Sequence, residues 1–442
     1  MYHKINKTIY IYVYSLFICF ATHNIYGQNT TINIDSYDIK ANYNYEKKNI
    51  DITANLKIEK TENVNFFKIL LSLDASIKSI KAENIAVKFS RIPIDDDTLF
   101  ITIPELFKKK DKLNLSFEYT LPIDSLTFNN VIMLRREVRW YPLQYDDIAS
   151  MKLDIITPNN YMVFTVGDLI NKKNINNNTE YIFENNNSAS YALVITKPNT
   201  FNTSLTKNIE NVNVNFYFTS ADTAVNNKII KEVCSSFLFY SKYIGSYKHK
   251  QLNIVEIPDD RIQFVQSLSA LMLVGSPFIS YYKLGYGDWP SHEVAHQWCG
   301  SGFYINSKTK GRWFFEESLN EYLKTLYIQN TMGNDTLKKQ LKSYLELYNE
   351  IDKSKEQSIL EITSVNTKEC AYVIYQKGPL VVNKLKNNMG NESWDKFIKE
   401  IYNIYYGNFL TYDEFIKTLS KYDAKGNIGK EFNKWLSEVG YR

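Results

Sequence analysis

The sequence predicts two domains, an N-terminal antiparallel β domain followed by an α+β domain that ends in a helical lobe. The chain has 442 residues, which is more than one ordinary hydrophobic core organises. Hydrophobic residues alternate with period 2 between residue 30 and about residue 205, and they recur with a helical period of about 3.6 from about Ala224 onward. With 44% hydrophobic residues and only 16 Gly and 10 Pro, the composition is that of a folded globular protein. Disordered and collagen-like chains are therefore excluded.

The charges of the chain are nearly balanced, with 52 Lys and Arg against 48 Asp and Glu, which gives a net charge of +4. Binding to nucleic acid depends on clustered Lys and Arg residues that neutralise phosphates. Because the basic residues are interspersed along this chain, no nucleic-acid partner is predicted.

The first 27 residues have the pattern of a secretory signal peptide. Lys4 and Lys7 precede an apolar run from Ile9 to Ala21, and a polar stretch then leads to Gly27. Cleavage before Gln28 is predicted, with export of the mature chain to the medium, the periplasm or the cell surface. The alternative is an uncleaved membrane anchor, but the apolar run is shorter than the roughly 18 residues that a spanning helix needs. No stable membrane span is predicted after cleavage.

Cysteine usage fits an exported chain without a disulfide framework. Cys234, Cys299 and Cys370 remain after the predicted cleavage. An oxidising compartment permits disulfides, but three cysteines are an odd number and too few for a scaffold. Three buried thiols are predicted, with a single bridge as the alternative.

Period-2 segments mark the strands of the N-terminal domain. Hydrophobic and polar residues alternate in Asp51–Glu59, Lys112–Tyr119 and Met151–Ile156. Turn clusters such as Pro158–Asn160 and Asn176–Asn178 separate such segments. This alternation is typical of antiparallel strands with one buried and one hydrated face.

The second domain begins with a helix and a buried strand. One helical stripe is formed by the residues Ile229, Val233, Phe237, Tyr240 and Ile244. The stripe ends at Gly245, and the strand pattern Gln251–Ile257 follows. From Pro290 onward the pattern is helical, with breaks at Gly333, Gly390 and Gly407. No internal repeat is found.

Two of the three histidines outside the signal peptide stand in the segment His292–His296, which reads His-Glu-Val-Ala-His. On a helix, positions i and i+4 share one face, so both imidazoles can reach one zinc ion. Glu293 then lies beside the metal, where a general base takes a proton from water. Asp288 and Pro290 suit the cap and the first turn of this helix. The alternative is a surface helix with a chance pair of histidines.

A catalytic zinc ion needs a third protein ligand. The apolar helical pattern of Arg312–Leu323 offers three candidates, Glu316, Glu317 and Glu321. A helical wheel places Glu316 at the edge of the apolar stripe and Glu317 opposite it, near Glu321. Periodicity alone does not choose among them.

These segments resemble the M1 zinc metallopeptidases, the gluzincins of the membrane alanyl aminopeptidase group, and the resemblance covers most of the chain. His292–Trp298 is similar to the HExxHQW helix of that family. Glu317–Leu323 looks like its second helix, in which the ligand glutamate is followed five residues later by Tyr. The gap of 20 residues between His296 and Glu317 is two residues longer than the gap between the second His and the ligand Glu in the family. The loop around Ser307–Lys310 must therefore accommodate two extra residues.

The resemblance implies one zinc ion per chain, bound by His292, His296 and Glu317. It also implies an antiparallel β-sandwich over residues 28–205 and a thermolysin-like catalytic domain over residues 206–442, helical from about residue 290.

Two further segments fit the same resemblance. Tyr375–Gly378 is similar to the Y-x-K-G helix start of the family, whose Tyr donates its hydroxyl to the developing oxyanion. The alternative is a packing tyrosine, since the chain has 34 of them. Phe432–Tyr441 resembles the end of the family's catalytic unit.

One departure concerns the G-x-M-E-N strand, whose Glu binds the free amino group of the substrate in the family's aminopeptidases. The corresponding strand pattern here, Val265–Val274, contains no acidic residue. Glu321 could replace that anchor, or it could orient a metal ligand.

The predicted function is that of an exported, aminopeptidase-like zinc metallopeptidase that hydrolyses peptide substrates. Glu293 is the predicted general base, and Tyr375 is the predicted oxyanion donor. Substrates are expected to pair with the strand Val265–Val274 through their backbone. Three alternatives stay open: an oligo- or endopeptidase without a need for a free N-terminus, a non-catalytic peptide-binding module, and a zinc hydrolase of non-peptide substrates.

Overall fold

The computed structural model describes residues 32–61, 65–91, 97–144, 146–285, 287, 289–423 and 426–441. The predicted signal peptide, residues 1–27, and the predicted helix cap Asp288 lie outside these residues. Within them, no helix combines the length and the apolar character that a membrane span requires.

The N-terminal domain consists of fifteen described strands in three sheets. The strands are β1 (Ile32–Asn44), β2 (Asn49–Lys60), β3 (Phe66–Leu70), β4 (Ser76–Ala82), β5 (Ile85–Ala86), β6 (Phe89–Arg91), β7 (Thr98–Thr102), β8 (Lys112–Pro122), β9 (Thr127–Phe128), β10 (Val131–Leu134), β11 (Ala149–Pro158), β12 (Met162–Thr165), β13 (Asp168–Ile175), β14 (Asn178–Ser188) and β15 (Leu193–Thr196).

The largest sheet has eight strands in the order β13-β14-β11-β1-β2-β8-β4-β5. A four-stranded sheet, β12-β15-β10-β9, and a three-stranded sheet, β3-β7-β6, contribute side chains to the same hydrophobic core. The alternating exposure of β2 and β8 confirms the period-2 prediction. One pair differs from the antiparallel prediction, because β1 and β11 run parallel.

The described part of the second domain contains a five-stranded sheet, a two-stranded sheet and a set of helices. Its strands are β16 (Thr203–Ile209), β17 (Val212–Phe218), β18 (Gln251–Ile257), β19 (Val265–Leu268), β20 (Leu271–Gly275), β21 (Tyr304–Ile305) and β22 (Phe409–Leu410). Its α-helices are α1 (Thr223–Tyr243), α2 (Ser276–Lys283), α3 (Trp289–Ala295), α4 (Leu319–Met332), α5 (Asn334–Tyr348), α6 (Lys368–Tyr372), α7 (Gly378–Met389), α8 (Asn391–Tyr405), α9 (Tyr412–Ser420) and α10 (Ile428–Ser437).

The order of a β domain, an α+β part and a helical lobe confirms the predicted architecture. The five residues of the predicted helical stripe are all buried; four of them lie on α1, and Ile244 follows its last residue. α4 and α7 end at Gly333 and Gly390, whose φ angles are 90° and 81°, in the left-handed region that favours glycine. Strand β16 begins at Thr203 and pairs with β17 in the five-stranded sheet. The predicted domain boundary at residue 205 therefore falls inside this strand, and it stays a prediction.

The five-stranded sheet has the strand order β16-β17-β18-β20-β19. It belongs to the second domain, and one of its faces packs against the β domain. Ile254 and Val274 pack into the core formed with the helices. Val255 and Leu273, on the opposite face, pack into the core of the β domain. The sheet is therefore buried on both faces, and its edge strand β19 lies between the two domains.

Cys234, Cys299 and Cys370 are free thiols, in agreement with the prediction of three thiols. Cys299 and Cys370 are buried as predicted, whereas Cys234 is only half-buried.

Candidate active site

The histidine motif lies on α3, as its spacing predicts. The helix ends at Ala295, and one further turn carries His296, whose N–H donates to the carbonyl of His292 at 3.4 Å. α1 holds this helix in place, because the hydroxyl of Tyr240 donates to the carbonyl of Ser291 at 3.0 Å. The imidazole of His292 on α3 and that of His296 on the following turn project to the same side, and their Nε2 atoms lie 3.1 Å apart.

Glu317 brings a carboxylate to these two nitrogens. Its Oε2 lies 3.3 Å from Nε2 of His292 and 3.7 Å from Nε2 of His296. Glu316 is engaged elsewhere, because Nε of Arg312 donates to its two carboxylate oxygens at 3.1 and 3.0 Å. Of the two neighbouring glutamates that periodicity left open, the structure places Glu317 at the histidines.

The distances in this cluster suit a zinc ion. Zinc binds His nitrogens and carboxylate oxygens at about 2.0–2.2 Å, so two ligands at the tetrahedral angle lie about 3.3–3.6 Å apart. The three separations of 3.1, 3.3 and 3.7 Å are close to that range. Two imidazoles and one carboxylate are a donor set typical of a catalytic zinc site. Such a site also needs an open position for water, and His296 and Glu317 line a cleft. The residues present therefore fit this metal.

Glu321 contacts the ring nitrogen of His292 that does not face Glu317. Its Oε2 lies 2.9 Å from Nδ1 of His292, and its Oε1 accepts hydrogen bonds from the hydroxyl of Tyr344 at 2.8 Å and from Nζ of Lys324. Glu321 is only 2% exposed and is not among the described residues that line the cleft. Of the two roles that the sequence left open for it, this geometry favours the orientation of His292 rather than a contact with a substrate amine.

Burial and hydrogen bonding act in opposite directions on the acids of the cluster. Burial raises the pKa of Glu317, but hydrogen bonds from His292 and His296 outweigh this and hold the pKa well below its usual range. Glu317 is therefore a carboxylate, the form that binds a metal. Burial also raises the pKa of Glu293, which the two histidines offset only in part. Glu293 is the more basic of the two acids, as a proton acceptor must be.

Ser267 on β19 contacts Glu293. Its Oγ lies 2.9 Å from Oε2 of Glu293 and 2.8 Å from the carbonyl oxygen of the same residue. Glu293 is 3% exposed and lines the cleft. The sequence pattern did not single out Ser267, because Gln266 and Ser269 are polar residues of the same segment and no local signal distinguishes Ser267 from them.

Tyr375 lies on the segment Val373–Lys377 and lines the same cleft. The centre of its ring is 6.3 Å from that of His292. This segment is π-helical, and so is Phe314–Ser318, which carries Glu317. π-Helical turns are frequent at functional sites, and here two of them present the two groups that the sequence assigned to catalysis and metal binding.

Gly378 lets these two π-helical segments meet. The hydroxyl of Ser318 donates to the carbonyl of Ile374 at 2.6 Å. A Cβ on Gly378 would lie 1.9 Å from Oγ and 2.4 Å from Cβ of Ser318, so only glycine fits this position without displacement of the neighbouring segment. The glycine of the Y-x-K-G motif therefore sets the separation between the backbones that carry Glu317 and Tyr375.

The site opens into a cleft of about 400 Å³ between the two domains. Glu293, His296, Glu317 and Tyr375 line one side of it, and β19 forms a wall. The β domain contributes the residues Arg135, Arg136, Glu137, Asp146, Ser188, Ala189 and Ser190. The sequence assigned no functional residue to that domain, because its period-2 pattern reports burial and not what lies at the ends of its strands.

The sequence of residues 290–435 matches the model of the peptidase family M1 domain. The chain carries an M1 metallopeptidase domain. The M1 domain makes the protein a zinc metallopeptidase, a hydrolase, and confirms the family that its motifs resemble. Among curated proteins, none matches the chain in sequence at a significant level.

Solved M1 enzymes share the fold of most of this chain. A mutant M1 zinc metallopeptidase from Deinococcus radiodurans, bound to a Tyr-Ser-Ala substrate, is similar with a TM-score of 0.72 and 11% identity over 94% of this chain and 96% of that chain. Another structure, of the M1 zinc metallopeptidase from Deinococcus radiodurans, gives a TM-score of 0.70 and 10% identity over 93% and 95% of the two chains. A two-domain M1 zinc metallopeptidase mutant bound to L-tryptophan is similar with a TM-score of 0.72 and 11% identity, over 94% of this chain and 96% of that chain. At these identities the likeness shows the fold, with both domains in common.

Proposed function

We propose that the M1 domain hydrolyses peptide bonds with one zinc ion bound by Nε2 of His292, Nε2 of His296 and Oε2 of Glu317. The fit of these three atoms to one ion, at the side of a cleft in an M1 domain, carries the proposal. When bound, zinc supplies Lewis acidity, which lowers the pKa of water and polarises the scissile carbonyl. We also propose that residues 1–27 are a cleaved signal peptide, so that the enzyme is exported, with domains over residues 28–205 and 206–442.

Glu293 is the general base in this proposal. Its carboxylate takes a proton from the attacking water and later passes it to the nitrogen of the leaving amine. Burial supports this exchange, because it raises the pKa of the carboxyl and brings it nearer to the working pH. The hydroxyl of Ser267, 2.9 Å from Oε2, restricts the orientation of the carboxylate before substrate arrives.

Tyr375 is the proposed oxyanion donor. Its hydroxyl donates to the carbonyl oxygen of the substrate as that oxygen gains negative charge. Tyr375 is 6% exposed, and its segment is fixed by the contact between Ser318 and Gly378, so the donor is held in place before the reaction. A donor that needs no reorganisation stabilises the transition state more than the ground state.

Strand β19 is the proposed substrate platform. It is an edge strand, paired with β20 on one side only, and it lines the cleft. A peptide that adds to this edge gains backbone hydrogen bonds that do not depend on its side chains. The scissile bond then lies near Glu293, because Ser267 of the same strand contacts that residue.

Glu321→Gln should weaken zinc binding by about 10–100-fold, because Glu321 orients His292 and increases the basicity of its imidazole. An amide keeps the size of the side chain and loses its charge, so Lys324 loses a buried partner as well. Competition with a chelator measures the zinc affinity of the purified protein. Glu346→Gln is the matched control, since Glu346 lies exposed on α5 and pairs only with Lys342 at 3.8 Å among the contacts described. Wild-type affinity in a stable Glu321→Gln protein contradicts the orienting role.

The cleft offers little to bind a free amino terminus. The carboxylates that line its described part are Glu137, Asp146, Glu293, Glu316 and Glu317. Glu293 and Glu317 serve the reaction, and Glu316 accepts from Arg312. Asp146 accepts from the hydroxyl of Ser307 at 2.6 Å, and Oε2 of Glu137 lies 3.7 Å from Nε of Arg135. We therefore propose that the enzyme does not depend on a free N-terminus.

The expected result is that kcat/KM for a peptide and for its N-acetylated form agree within about tenfold. A buried carboxylate paired with a substrate ammonium makes charge-assisted hydrogen bonds worth roughly 1.5–3 kcal/mol, so an enzyme with such an anchor loses at least about tenfold on acetylation. Parallel assays of both peptides on the purified, zinc-loaded protein decide the matter. A loss of more than about tenfold on acetylation shows an aminopeptidase with an anchor. Glu137→Gln then tests whether Glu137, which lies 3.7 Å from Nε of Arg135, is that anchor.

A further inference from the structure

An arginine of the β domain, Arg135, lines the same cleft as Glu293, His296 and Glu317. It follows β10, and its side chain is 11% exposed. The guanidinium carbon lies 4.2 Å from the centre of the Phe264 ring, and Nη1 donates to Oε1 of Gln266 at 3.2 Å. Phe264 and Gln266 belong to the β19 segment and line the same cleft. Arg135 is therefore a fixed, largely desolvated cation beside the substrate platform.

The two faces of β19 contact different parts of the molecule. Ser267 contacts Glu293 on α3, whereas Gln266 contacts Arg135 of the β domain. Successive side chains of a strand point to opposite faces, and the same rule applies to a peptide that adds to its edge. Side chains of a bound peptide thus alternate between the zinc helix and Arg135. The position beside Gln266 on the β-domain side meets the guanidinium.

The chemistry of this position favours an anion. Among the described residues, Glu137 is an acidic neighbour of Arg135, with its Oε2 3.7 Å from Nε, and the side chain of Glu137 is 44% exposed. Burial lowers the pKa of Arg135 and the Glu137 carboxylate raises it, so a further negative charge stabilises the buried cation. A planar guanidinium held by stacking and by Gln266 presents N–H donors in the fork that matches a carboxylate.

We propose that Arg135 binds a carboxylate of the peptide substrate at the position facing Gln266. The carboxylate is either the side chain of an Asp or Glu residue or the C-terminus of a short peptide, since both present the same group. This substrate class rests on the proposed peptidase function, because it uses the same cleft and the same edge strand.

The test uses the zinc-loaded Glu293→Gln protein, in which turnover should be slower by roughly 10²–10⁴-fold, so that substrate binding can be measured before much of the peptide is cleaved. Calorimetry measures its affinity for alanine hexapeptides that carry one Glu or one Gln at each position in turn, with a free or an amidated C-terminus. At one position, Glu should bind about ten- to a hundredfold more tightly than Gln if the side chain is the ligand, as expected for a charge-assisted pair. If the terminal carboxylate is the ligand, amidation should cause a loss of the same size.

When Arg135→Gln is added to the Glu293→Gln protein, it should abolish the preference for the peptide that carries the carboxylate. Arg135→Lys in the same protein should retain part of that preference. The matched control is Arg261→Gln, which removes an equal charge from an exposed arginine that pairs with Asp259 outside the cleft. Thermal unfolding shows that each variant is folded. If Arg135→Gln unfolds, added Glu137→Gln tests the site instead, since removal of the competing carboxylate should tighten binding of the preferred peptide.

Equal binding of all Glu, Gln and amidated peptides, or a preference that survives in a folded Arg135→Gln protein, overturns the proposal. The peptidase function fails separately. If the wild-type protein binds acidic peptides through Arg135 and cleaves none of them, the Arg135 site stands and the hydrolytic function does not. If it cleaves peptides without regard to their carboxylates, only the Arg135 site fails.

Discussion

His292→Ala, His296→Ala and Glu317→Ala should each lose zinc, whereas Glu293→Gln should keep it and lower kcat by roughly 10²–10⁴-fold. The first three side chains place their ligand atoms 3.1–3.7 Å from one another, at the spacing of a single ion. Glu293 lies beside them and contacts Ser267, so the exchange of its carboxylate for an amide removes a proton acceptor and leaves the ligands in place. Elemental analysis of the purified variants, together with their turnover of a peptide, measures both effects.

Glu316→Ala is the matched control for Glu317→Ala. The two glutamates are adjacent, but Glu316 is bound to Arg312. Its removal should therefore leave zinc stoichiometric and affect activity only through the cleft wall. Retention of zinc in Glu317→Ala together with its loss in Glu316→Ala would falsify the assignment of the third ligand.

Tyr375→Phe should lower kcat by roughly 10²–10³-fold, as expected when a single oxyanion donor is removed. KM and zinc content should change little, because the hydroxyl interacts with a charge that forms only in the transition state. Steady-state kinetics and elemental analysis check these expectations. Tyr412→Phe serves as the control, since it removes a buried hydroxyl that bonds to Asn433 at 2.6 Å away from the cleft. Full turnover in Tyr375→Phe would mean that this tyrosine only packs against His292 and that the oxyanion donor lies elsewhere.

The zinc helix was predictable from the sequence because its geometry is local. Residues four apart on a helix share a face, so His292 and His296 could be assigned to one ion before any tertiary structure was known. The strands and the α1 stripe were predictable for a similar reason, since periods of 2 and 3.6 residues report burial directly.

The choice between Glu316 and Glu317 could not be made from periodicity, and the structure shows why. Both residues lie in the segment Phe314–Ser318, which is π-helical rather than α-helical. A wheel drawn at 100° per residue assigns the wrong phase to such a turn, because a π-helix closes its hydrogen bonds over five residues instead of four. Only the resemblance to known motifs selected Glu317, and the structure places that residue at the histidines.

The supporting residues of the cleft could not be predicted because their contacts connect distant parts of the chain. Ser267 meets Glu293 across 26 residues, and Arg135 meets Gln266 across 131 residues. No local pattern encodes such a meeting, since it depends on how the two domains pack against opposite faces of one sheet.

The five-stranded sheet joins the second domain to the β domain, because side chains on its two faces pack into two different cores. Val255, Ile257, Leu271 and Leu273 pack into the core of the β domain, and each is fully buried. If the second domain stood alone, these side chains would form a continuous apolar surface next to the unpaired edge of β19, a combination that promotes association between chains. The β domain thus covers an apolar face of the second domain that would otherwise promote association between chains.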